Sequence, residues 1–115
     1  MVSTNEVKEW ALALPEALEQ PHFEKTSFRV KKKIFATLDT LSKRAIVKLS
    51  AIDQSVFCKY NPNIIYPVPG TWGKQGWTII ELRKVRKTMF KDALLSGYCL
   101  VAPKNLARQV RTDRA

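Results

Sequence analysis

The apolar positions of this chain change period along its length, and each change predicts an element. Val7, Trp10, Ala11 and Leu14 fall at i, i+3, i+4 and i+7, the spacing of one helical face. Ser3 and Glu6 ahead of them fit a capping box, and Pro15 closes the helix. From residue 26 the period becomes two. In Thr26-Ser27-Phe28-Arg29-Val30, Phe28 and Val30 share one side of a strand. Lys31-Lys32-Lys33 is polar and short enough for a tight connection to a returning strand over residues 34–38. A third strand, 45–49, follows the polar turn around Ser42-Lys43. Ser50 with Asp53 then starts a second helix that runs through about Tyr60, with Ile52, Val56 and Phe57 inward.

Asn61-Pro62-Asn63 stops that helix. Residues 64–68 read as a short strand, and Pro67 places it at an edge or near its end. Residues 69–76 form a loop holding Gly70, Trp72, Gly73 and Gly76, and residues 77–82 a final strand. A third helix starts near Lys84 with Val85, Met89, Phe90, Ala93 and Leu94 on its apolar side, and Gly97 ends or bends it. Residues 98–101 continue the packing, Pro103 interrupts, and residues 104–110 form a last turn or short helix. The order α-β3-α-β2-α predicts an α+β fold. It is a two-layer α/β sandwich with an antiparallel sheet, helices mainly on one face, and the other face open to solvent or a partner. No linker or internal repeat divides the chain, so residues 1–115 are expected to form one domain.

Charge adds what the apolar pattern leaves out. The formal net charge is +10 on 115 residues. Residues 1–24 hold one cation, Lys8, and five acids; nineteen cations and five acids follow. A field of that sign attracts polyanions, of which nucleic acid is the commonest large one. With 45% hydrophobic residues the chain can build a core, and no stretch approaches the roughly 20 apolar residues that cross a bilayer. The start, Met1-Val2-Ser3-Thr4-Asn5-Glu6, lacks the basic and apolar run of a signal peptide, so the cytoplasm is the expected location.

Motifs for catalysis are sparse. Cys58 and Cys99 stand apart with no metal-ligand spacing, and are expected to be buried thiols. The glycines make neither a P-loop nor a dinucleotide fingerprint, and no cofactor or metal is implied. His22, the only histidine, has Glu19 and Glu24 near it in sequence but no nucleophile at a recognisable spacing. An enzymatic role is therefore not the leading expectation.

Several segments together resemble the MmcQ/YjbR family. They are Leu14-Pro15-Glu16-Ala17 with Pro21-His22-Phe23, Ser27-Phe28-Arg29-Val30, and Lys33-Ile34-Phe35-Ala36. Further along come Pro69-Gly70, Trp72-Gly73-Lys74, Gly76-Trp77-Thr78 and Val101-Ala102-Pro103-Lys104. Their order and spacing span nearly the whole chain. The resemblance implies a two-layer α/β domain with an antiparallel sheet, and a DNA-binding role by likeness to a double-wing fold in a phage transcription factor. It carries over no catalytic residue. At the start of the third helix, where acidic or proline residues are frequent in the family, this chain has Arg83-Lys84-Val85-Arg86-Lys87.

The candidate phosphate contacts are accordingly basic. Arg83, Lys84, Arg86, Lys87 and Lys91 form one cluster, and Arg83, Lys87 and Lys91 would share a helical face. Lys31, Lys32 and Lys33 at a hairpin tip, with Lys43 and Arg44 on the next turn, would act as a wing that gives affinity without sequence choice. Lys74 sits between Trp72 and Trp77, in a loop whose aromatics suit base stacking or, with His22, a small-ligand pocket. Core packing is the competing expectation for both tryptophans. Three functions follow: a non-enzymatic DNA-binding protein, a module docking an acidic protein partner or a second copy, and a ligand binder or enzyme at the Trp72–Trp77 loop.

Overall fold

The structure, a computed structural model, describes residues 1–114, with side chains up to residue 110. Helix α1 (Thr4–Leu12) begins with the expected capping box: Ser3 Oγ accepts from the Glu6 N–H, and the Glu6 carboxylate accepts from the Ser3 N–H, both at 3.0 Å. Four strands follow in an antiparallel meander, β1 (Leu18–His22), β2 (Lys25–Val30), β3 (Lys33–Asp39) and β4 (Arg44–Lys48). Then come α2 (Ala51–Tyr60), β5 (Ile65–Pro67), the one-turn α3 (Thr71–Lys74), β6 (Trp77–Glu81), α4 (Lys87–Val101) and α5 (Lys104–Arg114). The six strands form one sheet in the order β1-β2-β3-β4-β6-β5, antiparallel throughout.

The α+β class and the antiparallel sheet agree with the sequence, but the element order differs from α-β3-α-β2-α. A fourth strand, β1, precedes α2. Its sequence, Leu-Glu-Gln-Pro-His, is exposed along nearly its whole length, so no buried alternation marks it. It is the edge of the sheet, where Pro21 costs no ladder hydrogen bond. The third helix begins at Lys87 rather than near Lys84. Arg86 is its N-cap in extended conformation, and Arg83 to Val85 belong to a turn in which the Lys84 and Val85 N–H groups donate to the Glu81 carbonyl. Gly97 does not end this helix, which continues to Val101.

Gly97 has a packing role instead. A Cβ there would lie 2.5 Å from Val47 Cγ1 and 2.8 Å from the Lys48 carbonyl oxygen. Only glycine lets α4 lie this close to β4. Phe90, Ala93, Leu94 and Tyr98 of α4 and Val7 and Ala11 of α1 then cover one face of the sheet. They meet Phe28, Val30, Phe35, Leu38, Val47 and Ile80 from the strands. A register shift opposite Phe28 and Arg29 leaves Phe35 as an extra residue in β3, so Phe35 and Ala36 are both buried. The Tyr98 ring meets Phe35 edge-on at 5.4 Å, and its hydroxyl donates to the Pro15 carbonyl at 2.6 Å.

Helix α2 starts as the sequence indicates, with Ser50 Oγ accepting from the Asp53 N–H, but its inward face is not the expected one. Ile52 and Val56 are 77% and 61% exposed, while Phe57 packs against the core. The helix is oriented by Gln54, whose amide donates to the Gly73 carbonyl at 2.9 Å and to Thr78 Oγ1 at 3.1 Å. That anchor turns Ile52 and Val56 outward. The two cysteines are free and half-buried rather than fully buried. No helix among the described residues is long and apolar enough to cross a membrane.

Two stability predictions follow from these contacts. Gly97→Ala gains roughly 1 kcal/mol of helix propensity but overpacks the α4–β4 contact, at about 1–3 kcal/mol. The net effect is destabilising, read as a lower urea midpoint; a midpoint at or above wild type contradicts the close approach. Asp39 closes the β3–β4 turn by accepting from the Leu41 and Ser42 N–H groups at 3.0 and 3.2 Å. The Ser42 N–H, chiefly, holds its carboxyl below the ordinary aspartate value, helped by the Ser42 hydroxyl, the Leu41 N–H and Lys25. The folded state favours the ionised form, so this contribution is present above the unfolded pKa and is lost as pH falls through the depressed folded value. Asp39→Asn keeps an acceptor and removes the charge. It should lower the neutral-pH melting temperature slightly and flatten its acid-side decline.

Candidate nucleic-acid interface

Strand alternation sorts the sheet into a covered and an open face. In β4, Ala45 and Val47 enter the core while Arg44, Ile46 and Lys48 point the other way. In β6, Thr78 and Ile80 are buried and Trp77, Ile79 and Glu81 alternate with them. In β2, Arg29 lies between buried Phe28 and Val30. Helices α1 and α4 occupy the covered face, so the outward set forms a surface of its own, bordered by the α3 segment.

At one end of that surface is an open cleft of about 780 Å³. Arg29, Lys32, Lys33, Lys48 and Lys74 line it, with no carboxylate among the described residues around it. None of these four lysines forms an ion pair among the described residues. The Arg29 Nε–H donates to Ser27 Oγ at 3.1 Å, which fixes the start of its guanidinium. Lys48 Nζ lies 5.4 Å from the Trp77 ring centroid. Ser50 and Ala51, at the start of α2, form part of the wall. The segment carrying Lys74 and Trp77 is held against the end of β4 through Gly76 (φ +105), whose carbonyl accepts from the Leu49 N–H at 2.9 Å. A Cβ at Gly76 would fall 2.0 Å from the Leu49 carbonyl oxygen.

Beside the cleft lies a smaller hollow of about 310 Å³. Ile34 and Trp77 belong to both. The remaining walls are His22, Lys25, Thr37, Ile46, Val68 and Trp72. The structure therefore brings His22 together with Trp72 and Trp77. The expectation that the tryptophans are core residues is not met: Trp72 is 62% exposed and Trp77 is half-buried on the open face. Trp77 starts β6 out of phase with Thr78 and Ile80, which are the inward pair. The His22 ring meets Phe23 edge-on at 4.8 Å, and Phe23 at the β1–β2 tip is 94% exposed.

The other expected cations divide. Lys31 leaves the cleft to pair with Glu16 at 2.6 Å, so the Lys31–Lys33 run does not act as one group. Lys43 is half-buried in its turn, where its carbonyl accepts from the Leu82 N–H. The Arg44 Nε–H donates to Glu81 at 3.0 Å. The Tyr66 hydroxyl donates to the same carboxylate oxygen, and this bond, then burial, raises the Tyr66 pKa. Arg83, Lys84 and Arg86 follow the Glu81 end of β6, whereas the cleft is at its Trp77 end, about 13 Å away along the strand. Lys84 and Arg86 line a separate cavity of about 190 Å³ with Tyr60 and Asn61. Arg83, Lys87 and Lys91 share no helical face, because Arg83 precedes the helix. Lys87 pairs with Glu6 at 2.9 Å, and Lys91 lies over the Trp10 ring at 4.5 Å, so both face α1.

Arg29, Lys48 and Lys25 are the members of the open face that charge clustering in the sequence missed. Arg29 and Lys48 each stand beside buried residues in a strand of period two, and that alternation was the signal that could have placed them.

The comparisons with known proteins agree with this architecture. The crystal structure of Deinococcus radiodurans protein DR2400, described as a DUF419 domain, superposes with a TM-score of 0.77 at 22% sequence identity. The match covers 88% of this chain and 79% of that one. No curated protein matches the chain. The YjbR family model matches residues 12–100. With most of its length matched, from the end of α1 to the end of α4, the chain belongs to the YjbR family.

Proposed function

We propose that this protein binds nucleic acid, DNA in the first instance, by phosphate contacts in the basic cleft, and carries out no chemistry on it. The observation that supports this reading is the gathering of Arg29, Lys32, Lys33, Lys48 and Lys74 around one cleft without a carboxylate among the described lining residues. These cations come from three strands, a hairpin tip and the short α3. Their like charges repel, and a docked phosphate backbone relieves that repulsion while releasing counterions. The first turn of α2 presents its N-terminal end to the same space, a favourable pole for an anion. The basic cluster at the start of α4 has no part in this version, since Lys87 is paired and its neighbours lie at the far end of the sheet.

A second reading, docking of a protein partner, draws on a different feature. Ile52, Val56 and Tyr60 stand at i, i+4 and i+8 on α2 and are 77%, 61% and 52% exposed. That stripe is apolar and lies on the helix that leads away from the cleft.

Two measurements test the phosphate reading. In fluorescence-anisotropy titrations at two salt concentrations, binding of labelled DNA should weaken steeply with salt. Lys48→Glu with Lys74→Glu should reduce affinity and lower the salt slope by roughly one unit per lost phosphate contact. Reversal at Arg83 and Lys84 should change little; the opposite pattern would move the interface to the far end. Lys32 gives a second handle, because its φ of +70 suits glycine. Lys32→Gly should leave thermal stability equal or higher by up to about 1 kcal/mol, while weakening DNA binding.

A further inference from the structure

The hollow beside the cleft is not explained by phosphate binding. It is built from Ile34, Ile46, Val68, Trp72 and Trp77, with His22, Lys25 and Thr37 around them. At about 310 Å³ it falls at the small end of the range of ligand pockets, which run from roughly 300 to 1,000 Å³. Trp72 keeps 62% of its surface in solvent, on a helix of a single turn. Nothing in the core requires an indole there. Trp77 stands between the two spaces and belongs to both, and Lys48, which lines only the cleft, sits over its ring. Cationic and aromatic walls therefore meet along one boundary.

That juxtaposition has a chemical match. A nucleotide joins a flat, weakly polar ring system to a phosphate, and the two want these two environments. In a duplex the bases are stacked and paired, out of reach of a recessed aromatic site. In a single strand they are free to turn aside and stack on indole faces. His22 and Lys25 supply hydrogen-bonding groups in the wall, and the nearly buried Thr37 a hydroxyl, for the edge of a ring. We infer that the Trp72–Trp77 hollow receives an unstacked base of the strand whose phosphates lie in the basic cleft, so that the preferred ligand is single-stranded nucleic acid. This rests on the phosphate reading of the cleft and adds a choice of ligand to it.

The test separates the two. Three labelled DNAs of equal length are titrated at low salt: a mixed-sequence single strand, an abasic single strand with the same phosphates, and a duplex. The base-bearing strand should bind tightest. Trp72→Ala should weaken it by about five- to 150-fold, toward the affinity of the abasic strand. Binding of the abasic strand and the salt slope should stay as in wild type, and Trp72→Phe should retain most of the affinity. Trp72 is exposed, so an unchanged melting temperature is expected for both variants. Equal binding of the base-bearing and abasic strands, or indifference of the base-bearing strand to Trp72→Ala, overturns the base site and leaves the phosphate reading standing. Preference for duplex does the same. Absence of binding by all three DNAs removes the phosphate reading and this one with it.

Discussion

The contact between α4 and β4 at Gly97 governs how the rest of the molecule is arranged. The missing side chain lets the helix approach the Val47 side chain and the Lys48 backbone, so the helical layer closes tightly over one side of the sheet. Tyr98, the next residue, fixes the helix by its edge contact with Phe35 and its hydrogen bond to Pro15. With the core satisfied on that side, the sheet's second face is left without a helical layer, only the α3 segment standing beside it. Most outward residues of β2, β4 and β6 then reach the surface, strand alternation deciding which they are, while Ser27 of β2 is buried beneath Arg29. Lys48 links the two faces: its carbonyl oxygen lies against α4 while its side chain lies over Trp77 on the other face.

The charge count alone gives a poor picture of this surface. Of the cations that look most prominent in the sequence, Lys31, Arg44 and Lys87 each have a carboxylate within 3.0 Å. Such half-exposed pairs add little stability, on the order of 0–1 kcal/mol, but they cancel the local field. Lys87 and Arg86 also sit at the unfavourable end of the α4 dipole, and Glu6, brought across by α1, offsets this. Among the described residues, the set gathered around the cleft is free of such pairs, as are Lys84 and Arg86 at the far end of the sheet. The members of the cleft set are separated widely in sequence, and three of them, Arg29, Lys48 and Lys74, are isolated cations with no basic neighbour adjacent in the chain.

This explains what could be read before folding. Caps and periods are local, so Ser3 with Glu6, Ser50 with Asp53, and the alternation in β2, β4 and β6 were legible. Edge strand β1 was not, because exposure on both sides removes the signal that alternation supplies. The facing of α2 was set by Gln54, a polar residue whose partners Gly73 and Thr78 lie 19 and 24 residues away. No hydrophobic pattern contains that information. The site suffered in the same way. Clusters such as Arg83 to Lys87 are conspicuous along the chain, yet the turn before α4 and the Glu6 pair take them out of one face. The hollow was legible in its composition, through His22, Trp72 and Trp77, but its shape came from β1 and β2 delivering His22 and Lys25 beside the α3 loop.

Glu16, Phe23, Lys31, Lys32 and Lys43 all have φ between +49 and +70 without being glycine. A left-handed conformation costs such residues roughly 1–2 kcal/mol each. The β2–β3 hairpin has a two-residue loop, in which both positions have positive φ and Asn-Gly is the least strained choice. Two lysines occupy it instead. Lys31 is offset in part by its pair with Glu16. The Lys32 side chain has no hydrogen bond or ion pair among the described residues and lines the cleft. A side chain kept where the backbone disfavours it, with no internal partner, fits a requirement outside the folded chain, which the anion proposed for the cleft would supply.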